Sequence, residues 1–383
     1  MTPFDITVIK RIFAITKGFI HIKENFDKKV RFKKENKMIY FECDYHEGAH
    51  PKILEKLIET NFEQTMGYGA DFHCEKAGEY IRKAFSCRDA DVHFLVGGTQ
   101  TNTTVISSAL RPYQGVVCAE TGHINVHETG AIEATGHKVL ALESQDGKIT
   151  AEKVDEYIKG HFEDEAAEHM VQPGMVYISH PTEGGTLYTK SELEKLYKVC
   201  QKHNIPLFID GARLGYGLAA KNTDIKPEDI AKLCDVFYVG GTKVGALFGE
   251  AVVITNDALK KDFRYFIKRH GGLLAKGRLL GLQFEELFRD GLYFEISDHA
   301  INEAMKIRQC LEKCGVRVLF TSDTNQQFPI FENEILKKLS EKYTFCYWKK
   351  VSENESAVRI CTSWATKEEN TQKLIEDIKK IFK

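Results

Sequence analysis

The sequence predicts an α/β protein: a large domain built on a mostly parallel sheet, followed by a smaller α+β domain. Two observations carry this. Short β-branched runs alternate with helical patterns along most of the chain. These runs are apolar throughout rather than alternating, as strands covered by helices on both faces must be.

The elements follow in order. "PKILEKLIETNF" (51–62) places Ile53, Leu54, Leu57 and Ile58 on one helical face, with Pro51 suited to the first turn. "DVHFLV" (91–96) reads as a strand, and "GGTQTNTTVISSAL" (97–110) as a loop running into a helix. "GVVCAE" (115–120) and "GMVYIS" (174–179) are strands, and "SELEKLYKVCQKH" (191–203) is a helix. "IPLFID" (205–210), "DVFYVG" (235–240) and "AVVITN" (251–256) complete the strand set. Past residue 285 the pattern changes. A long helix over about 295–313 leads to the strand-like runs "VRVLF" (316–320), "QQFPIF" (326–331), "YTFCYW" (343–348) and "AVRICTS" (357–363). The expected division is therefore residues 38–285 and 286–383, preceded by a basic extension, 1–37. That extension has ten Lys/Arg against four Asp/Glu. It reads as a poorly ordered segment ahead of a body that starts at Met38, or as an amphipathic or targeting segment without a clear cleavage site.

Composition narrows the function classes. The chain has 383 residues, is 43% hydrophobic and carries a formal net charge of −2, which disfavours a body that binds nucleic acid or anionic membranes. No apolar run has the length of a membrane span. Ten scattered cysteines include no C-x-x-C pair, so no metal site is expected, and a reducing, cytoplasmic setting is. Cys310 and Cys314 share a face of the long helix and read as core.

Three strand ends carry candidate chemistry. In "FLVGGTQTNTTV" (94–105) two glycines precede a helix start with Thr99, Thr101 and Asn102. Free N–H groups at such a terminus suit an anion, although simple capping explains the same residues. In "PLFIDGARLGYG" (206–217), Asp210 closes a strand at the position where open α/β sheets present ligand groups. Arg213 is its potential ion-pair partner or faces a ligand anion. In "VGGTKVGALFG" (239–249), Lys243 follows a third strand end among four glycines and five apolar residues. A lysine near a desolvated pocket has a lowered pKa and attacks carbonyls. The glycines are expected to let backbone approach a bulky cofactor.

One cofactor uses a phosphate cradle, a carboxylate and a nucleophilic amine together: pyridoxal 5'-phosphate (PLP). Its phosphate suits the helix terminus, its aldehyde the lysine, and its pyridine nitrogen the carboxylate. His123, in "AETGHINVHETGA" (119–131), supplies a flat group for the ring face or is a core residue.

The order of these motifs resembles the threonine aldolase/β-eliminating lyase family of fold-type I PLP enzymes, from about Cys43 to the C-terminus. "GGTQTN" is similar to the family's phosphate loop, which implies Gly98, Thr99 and Gln100. "HINVHETGA" resembles its stacking-histidine segment (His123), "DGAR" its Asp/Arg segment (Asp210, Arg213), and "TKVGALFG" its Ser-Lys loop (Thr242, Lys243). "VRICTSWAT" implies Arg359 as the ligand of the substrate carboxylate. "EHMVQPGMVYIS" implies His169 as a second active-site histidine. "GYGAD" (67–71) implies Tyr68 near the cofactor. The sequence departs from the family at three places. The family's Glu-Asn-Thr-His run is "SHPTEGG" (179–185) here, and its tyrosine beside the stacking histidine is His127. Its cross-subunit phosphate arginine falls on Leu274, with Lys276 and Arg278 nearby.

The resemblance implies cleavage of a β-hydroxy-α-amino acid, threonine or allo-threonine, to glycine and an aldehyde, by a homodimer or homotetramer. Lys243 would bind the cofactor, Arg359 would fix the carboxylate, and His169 or His123 would take the hydroxyl proton. β-Elimination or transamination on the same scaffold is the alternative enzyme. A non-catalytic PLP-fold protein is the alternative of a different class; it would be expected to lose one of Lys243, Asp210 and Arg359.

Overall fold

The computed structural model describes residues 38–382; the reading of residues 1–37 as an extension lies outside them. A seven-stranded sheet organises the structure. Its strands are β1 (Asp91–Leu95), β2 (Gln114–Ala119), β3 (Val139–Leu142), β4 (Gln172–Ser179), β5 (Leu207–Asp210), β6 (Val236–Gly240) and β7 (Glu250–Ile254). They lie in the order β1-β7-β6-β5-β4-β2-β3. Strands β3, β2, β4, β5 and β6 pair in parallel, while β7 runs antiparallel to both β6 and β1. The sheet is thus mostly parallel, as the apolar runs predict. The one reversed strand follows from the short "TKVGALFG" connection. It returns directly beside β6, whereas a parallel partner would need a crossover of a dozen or more residues.

Alternate residues of each central strand serve opposite faces. Ile209 and Phe237 pack on one face with Ile53, Ile81, Leu196 and Phe284. Phe208 and Tyr238 pack on the other with Val105, Ile106 and Phe263. The helices that cover these faces are α1 (Pro51–Glu59), α2 (Phe72–Ala84), α3 (Gly98–Ala109), α4 (Ala151–Glu163), α5 (Lys190–Lys202), α6 (Leu214–Ala219), α7 (Phe263–Arg269) and α8 (Arg278–Arg289). The long α9 (Leu292–Lys313) and the last helix α10 (Glu368–Ile381) follow. In α1 the expected apolar face is only half used. Ile53 is buried, yet Leu54 is 42% and Ile58 76% exposed.

The C-terminal part carries a four-stranded antiparallel sheet: β8 (Gln326–Gln327), β9 (Ile330–Glu332), β10 (Cys346–Lys350) and β11 (Glu355–Cys361). "QQFPIF" is split in two at Pro329, whose nitrogen cannot donate to a ladder. "VRVLF" forms no strand and contributes a single bridge, Val318 to Pro329.

The topology gathers the chemistry at one edge of the large sheet. Ser179 ends β4 directly opposite Asp210 at the end of β5. Gly240 ends β6 opposite Glu250. Leu95 ends β1 against the same Glu250. The loops that leave these ends form the walls of one cavity.

Candidate active site

A cavity of about 350 Å³ opens at this edge, lined among others by Gly98, Thr99, His123, Glu183, Asp210, Arg213, Thr242, Lys243 and Glu250. The three strand ends singled out in the sequence therefore meet in one place.

The first wall is the start of α3. Its N-cap is Gly97, and no side chain caps it. Four N–H groups at a helix start have no partner inside the helix, and here the capping explanation of the threonines fails. Thr103 and Thr104 instead turn their hydroxyls back onto carbonyls of the first turn. A side chain at Gly98 would come within 3.3 Å of the Tyr238 hydroxyl, and one at Gly97 would meet nothing within 4 Å. The Gln100 side chain does not face the cavity. It accepts from Val96 N–H at 3.1 Å and donates to the His270 carbonyl at 2.9 Å. Only the backbone of Gln100 can serve an anion here.

Asp210 is the second wall, 4% exposed. The hydroxyls of Tyr177 and Tyr238 each donate to it at 2.5 Å, Ala212 N–H donates at 3.0 Å, and Asn102 Nδ2 donates at 3.2 Å. Burial alone would raise its pKa. The charge of His123 and these hydroxyl bonds outweigh burial, so the pKa is lowered and the carboxylate stays charged. His123 is in turn fixed by Glu128, whose Oε1 lies 2.8 Å from Nδ1. Asn102 holds the same oxygen at 2.7 Å. Burial pulls the His123 pKa down, but the Glu128 bond and the Asp210 charge raise it overall.

Lys243 forms the third wall. Burial lowers its pKa, and the neighbouring Arg213 guanidinium lowers it further. Its carbonyl accepts the Tyr216 hydroxyl at 2.6 Å, which pins the loop. Thr242 Oγ1 accepts Gly249 N–H at 3.0 Å, closing the loop on itself. The glycines answer to the chain and not to a ligand, contrary to the sequence expectation. A Cβ on Gly240 would sit 2.2 Å from the Ala212 carbonyl oxygen, and one on Gly241 2.7 Å from that of Gly249. Gly245, at φ +85°, takes a turn that other residues rarely adopt.

Arg213 does not pair with Asp210. Its guanidinium grips Asp44 through Nε at 2.6 Å and Nη2 at 3.0 Å. Asn325 also donates to Asp44 at 2.9 Å. Burial would raise the pKa of Asp44, but Arg213 brings it down to about 2. Glu250 is opposite in character: burial pushes its carboxyl up to about 8.

Not every expected residue arrives. His169 is exposed on a short turn (Ala167–His169) before β4 begins at Gln172, whereas the cavity lies at that strand's far end, beyond Ser179. Within one chain it cannot reach Lys243, because eight strand residues span roughly 25 Å. Tyr68 also lies apart, at φ 61° and 46% exposed, in a separate surface hollow with Arg264 and Leu274. Of the residues near the family's arginine position, Arg278 is committed to the Thr60 carbonyl at 2.7 Å, and neither Leu274 nor Lys276 lines the cavity. His127 stands beside His123, ring centroids 5.6 Å apart, with its pKa lowered by burial and by the His123 charge. Arg359 is not among the residues that line the cavity. It donates to the Glu42 carbonyl at 2.9 Å and to Gln326 at 3.2 Å, and its buried Nε has no partner among the described residues.

The family model described as beta-eliminating lyase matches residues 44–343. The chain belongs to the beta-eliminating lyase family. Among solved structures, that of Leishmania major threonine aldolase is similar at a TM-score of 0.87 and 44% identity, covering 90% of this chain and 100% of that one. The low specificity L-threonine aldolase of Pseudomonas sp. is 29% identical over 349 residues, 89% of this chain and 97% of that protein. That of Escherichia coli K12 is 24% identical over 282 residues, 71% of this chain and 79% of that protein. A Thermus thermophilus aspartate aminotransferase shares the fold alone, at TM-score 0.65 and 15% identity, covering 90% of this chain and 91% of that one. The α/β fold expected from the sequence is thus the fold of PLP enzymes.

The cavity fits PLP by its donor set. It offers an uncapped helix terminus, a charged carboxylate, and an amine with a lowered pKa. Several participants escaped sequence reading: Tyr177, Tyr238, Glu128, Asp44 and Glu250. The two tyrosines left a signal, since each sits two residues before a strand's last residue, on the face that the strand end turns to the cavity.

Proposed function

We propose that this chain is a PLP-dependent aldehyde-lyase that cleaves a β-hydroxy-α-amino acid, threonine or allo-threonine, to glycine and an aldehyde. The observation that carries the reading is Lys243, its pKa lowered, in one cavity with Asp210 and the uncapped start of α3. The family and the threonine aldolases it resembles support it.

Bound PLP supplies the electron sink that accepts the electrons of a breaking bond at Cα. The chain's residues do the rest. The N–H groups of Gly98, Thr99 and Gln100, with the Thr242 hydroxyl, hold the phosphate. Asp210 keeps its charge against burial and so can keep a pyridine nitrogen protonated. His123, fixed by Glu128, presents its ring to the cofactor. Arg359, with its unpartnered Nε, is assigned to the substrate carboxylate, and His127 to the β-substituent.

Ten free cysteines support a reducing, cytoplasmic setting, and among the described residues no helix is long and apolar enough to cross a membrane. A second copy of the chain is proposed to cover the apolar residues that run from Ile58 through Phe62 (93% exposed) and Met66 (71%) to Phe72 (58%). A homodimer or homotetramer would bring Tyr68 of this stretch to another subunit.

The test is direct. Purified protein supplied with PLP should take on a visible absorbance, and borohydride should fix the cofactor to Lys243, read by peptide mass. Threonine and allo-threonine should be cleaved faster than serine or cysteine is eliminated. A chain that takes up no PLP overturns the enzyme reading, and dominant elimination overturns the aldolase reading. A monomeric mass in solution overturns the assembly.

A further inference from the structure

We propose that Glu183 is the catalytic base of this cleavage, taking the proton of the substrate's β-hydroxyl; the assignment rests on the aldolase reading above. Glu183 stands on the loop after β4 and lines the cavity with Lys243 and Asp210. Its loop neighbours Pro181, Thr182, Gly184 and Gly185 are buried while Glu183 is half-buried, so its accessible surface is the one turned to the cavity.

The two carboxylate oxygens differ. Oε1 accepts the Ser179 hydroxyl at 2.6 Å and the backbone N–H of His123 at 2.9 Å. Oε2 accepts no hydrogen bond from the described residues and is not enclosed. One oxygen therefore fixes the group, and the other is left for a substrate proton. A base held in this way loses little freedom when it acts. Burial raises its pKa above the usual carboxylate range despite the Ser179 bond, which makes it a stronger acceptor while ionised.

The other candidates in the cavity are engaged. His123 is tied through Nδ1 to Glu128, and that bond raises its pKa. Both oxygens of Asp210 accept hydrogen bonds from tyrosine hydroxyls. Glu250 is pushed up to about 8 by burial and is engaged in accepting the Gly241 N–H. Lys243 would be freed when the substrate amine takes its place on the cofactor, and it is left to serve Cα.

The step balances as follows. The β-hydroxyl proton moves to Glu183 Oε2, and the O–H electron pair becomes the second C–O bond of the departing aldehyde. The Cα–Cβ bond breaks with its pair retained on the Cα side, where bound PLP would supply the electron sink. Cα then receives a proton to give glycine. Glu183 gives up the proton it took, through the Lys243 amine, and is a carboxylate again. No proton is gained or lost overall.

The experiment compares wild type, Glu183→Gln and Glu183→Asp, each loaded with PLP. For Glu183→Gln we expect kcat/KM for threonine to fall by at least ~10²-fold, the low end for loss of a general base. Cofactor uptake, read from visible absorbance, and glycine affinity, titrated through the same band, should stay within about threefold, since neither involves a β-hydroxyl proton. Glu183→Asp should recover part of the cleavage. Cleavage by Glu183→Gln within about threefold of wild type overturns the assignment, as does loss of cofactor or glycine affinity in proportion to cleavage. A wild type that binds PLP and glycine yet cleaves no β-hydroxy amino acid breaks the aldolase reading itself, and the assignment with it.

Discussion

Two histidines in this chain are each fastened to a buried glutamate, and only one of them faces a cavity. His123 bonds Glu128 at 2.8 Å beside Lys243 and Asp210. His73, on α2, bonds Glu285 of α8 at 2.6 Å and Glu63 at 2.9 Å. Burial pulls both pKa values down, and in both the carboxylates outweigh it and raise them. A perturbed pKa therefore does not separate a working histidine from a structural one. Ring bonding does: His73 has both nitrogens engaged by glutamates, whereas His123 uses one and stands among groups that converge on open space. The first cluster ties a helix pair and a loop together. The second holds charge at the edge of a cavity.

The largest effect that would test this contrast lies at Asp210. Replacing it by Ala removes the charge fixed by Tyr177, Tyr238 and Asn102, and turnover should fall by ~10²-fold or more, the range for a lost preorganised electrostatic partner. The check is kcat with cofactor saturating. Unchanged turnover would remove Asp210 from the chemistry and leave its hydrogen bonds as mere architecture.

A smaller effect, of another kind, is expected at His73. His73→Gln leaves Glu285, 6% exposed, without its charged partner, at a cost of about 3 kcal/mol of stability, with kcat unchanged. The sign with pH is specific. A raised histidine pKa stabilises fully below the unfolded value of 6.5 and is lost as pH climbs through the folded value. Glu63, its pKa lowered by the His73 bond, contributes above its unfolded value of 4.5 and is lost as pH falls through its folded value. The gap between wild type and variant in chemical denaturation should therefore be widest between these limits, at mildly acidic pH, and shrink on the alkaline side. A gap that grows with pH would show that His73 is not held as the cation.

How much of this was legible in the sequence follows the same division. Strand ends with a lysine, an aspartate or a glycine-rich turn announce themselves, because a polar residue that closes an apolar run has few places to go; Lys243, Asp210 and Gly98 all meet as expected. Contacts set by packing across distant segments leave no such trace. Asp44 meets Arg213 across 169 positions, and no local pattern could have substituted that partner for Asp210. Gly240 of the lysine loop was misread for the same reason, since its neighbour is the Ala212 carbonyl of another strand connection. β7 was found as a strand, but its reversed direction depends on loop length rather than on its own residues.

His169 is where resemblance and geometry part, and it carries the smallest expected effect. Sequence similarity places it in the segment of a second active-site histidine, yet it lies exposed at the end of β4 opposite to Ser179 and the cavity. A side chain reaches only a few ångströms, so no rotamer brings it to Lys243. If the site is complete within one chain, His169→Ala should leave kcat/KM for threonine within about threefold of wild type, the scale of a surface change away from the chemistry. A loss of tenfold or more would sink that expectation and assign His169 to a neighbouring subunit's cavity. Because Glu183 already supplies a fixed carboxylate with one free oxygen, the proton step does not require a histidine carried in from outside.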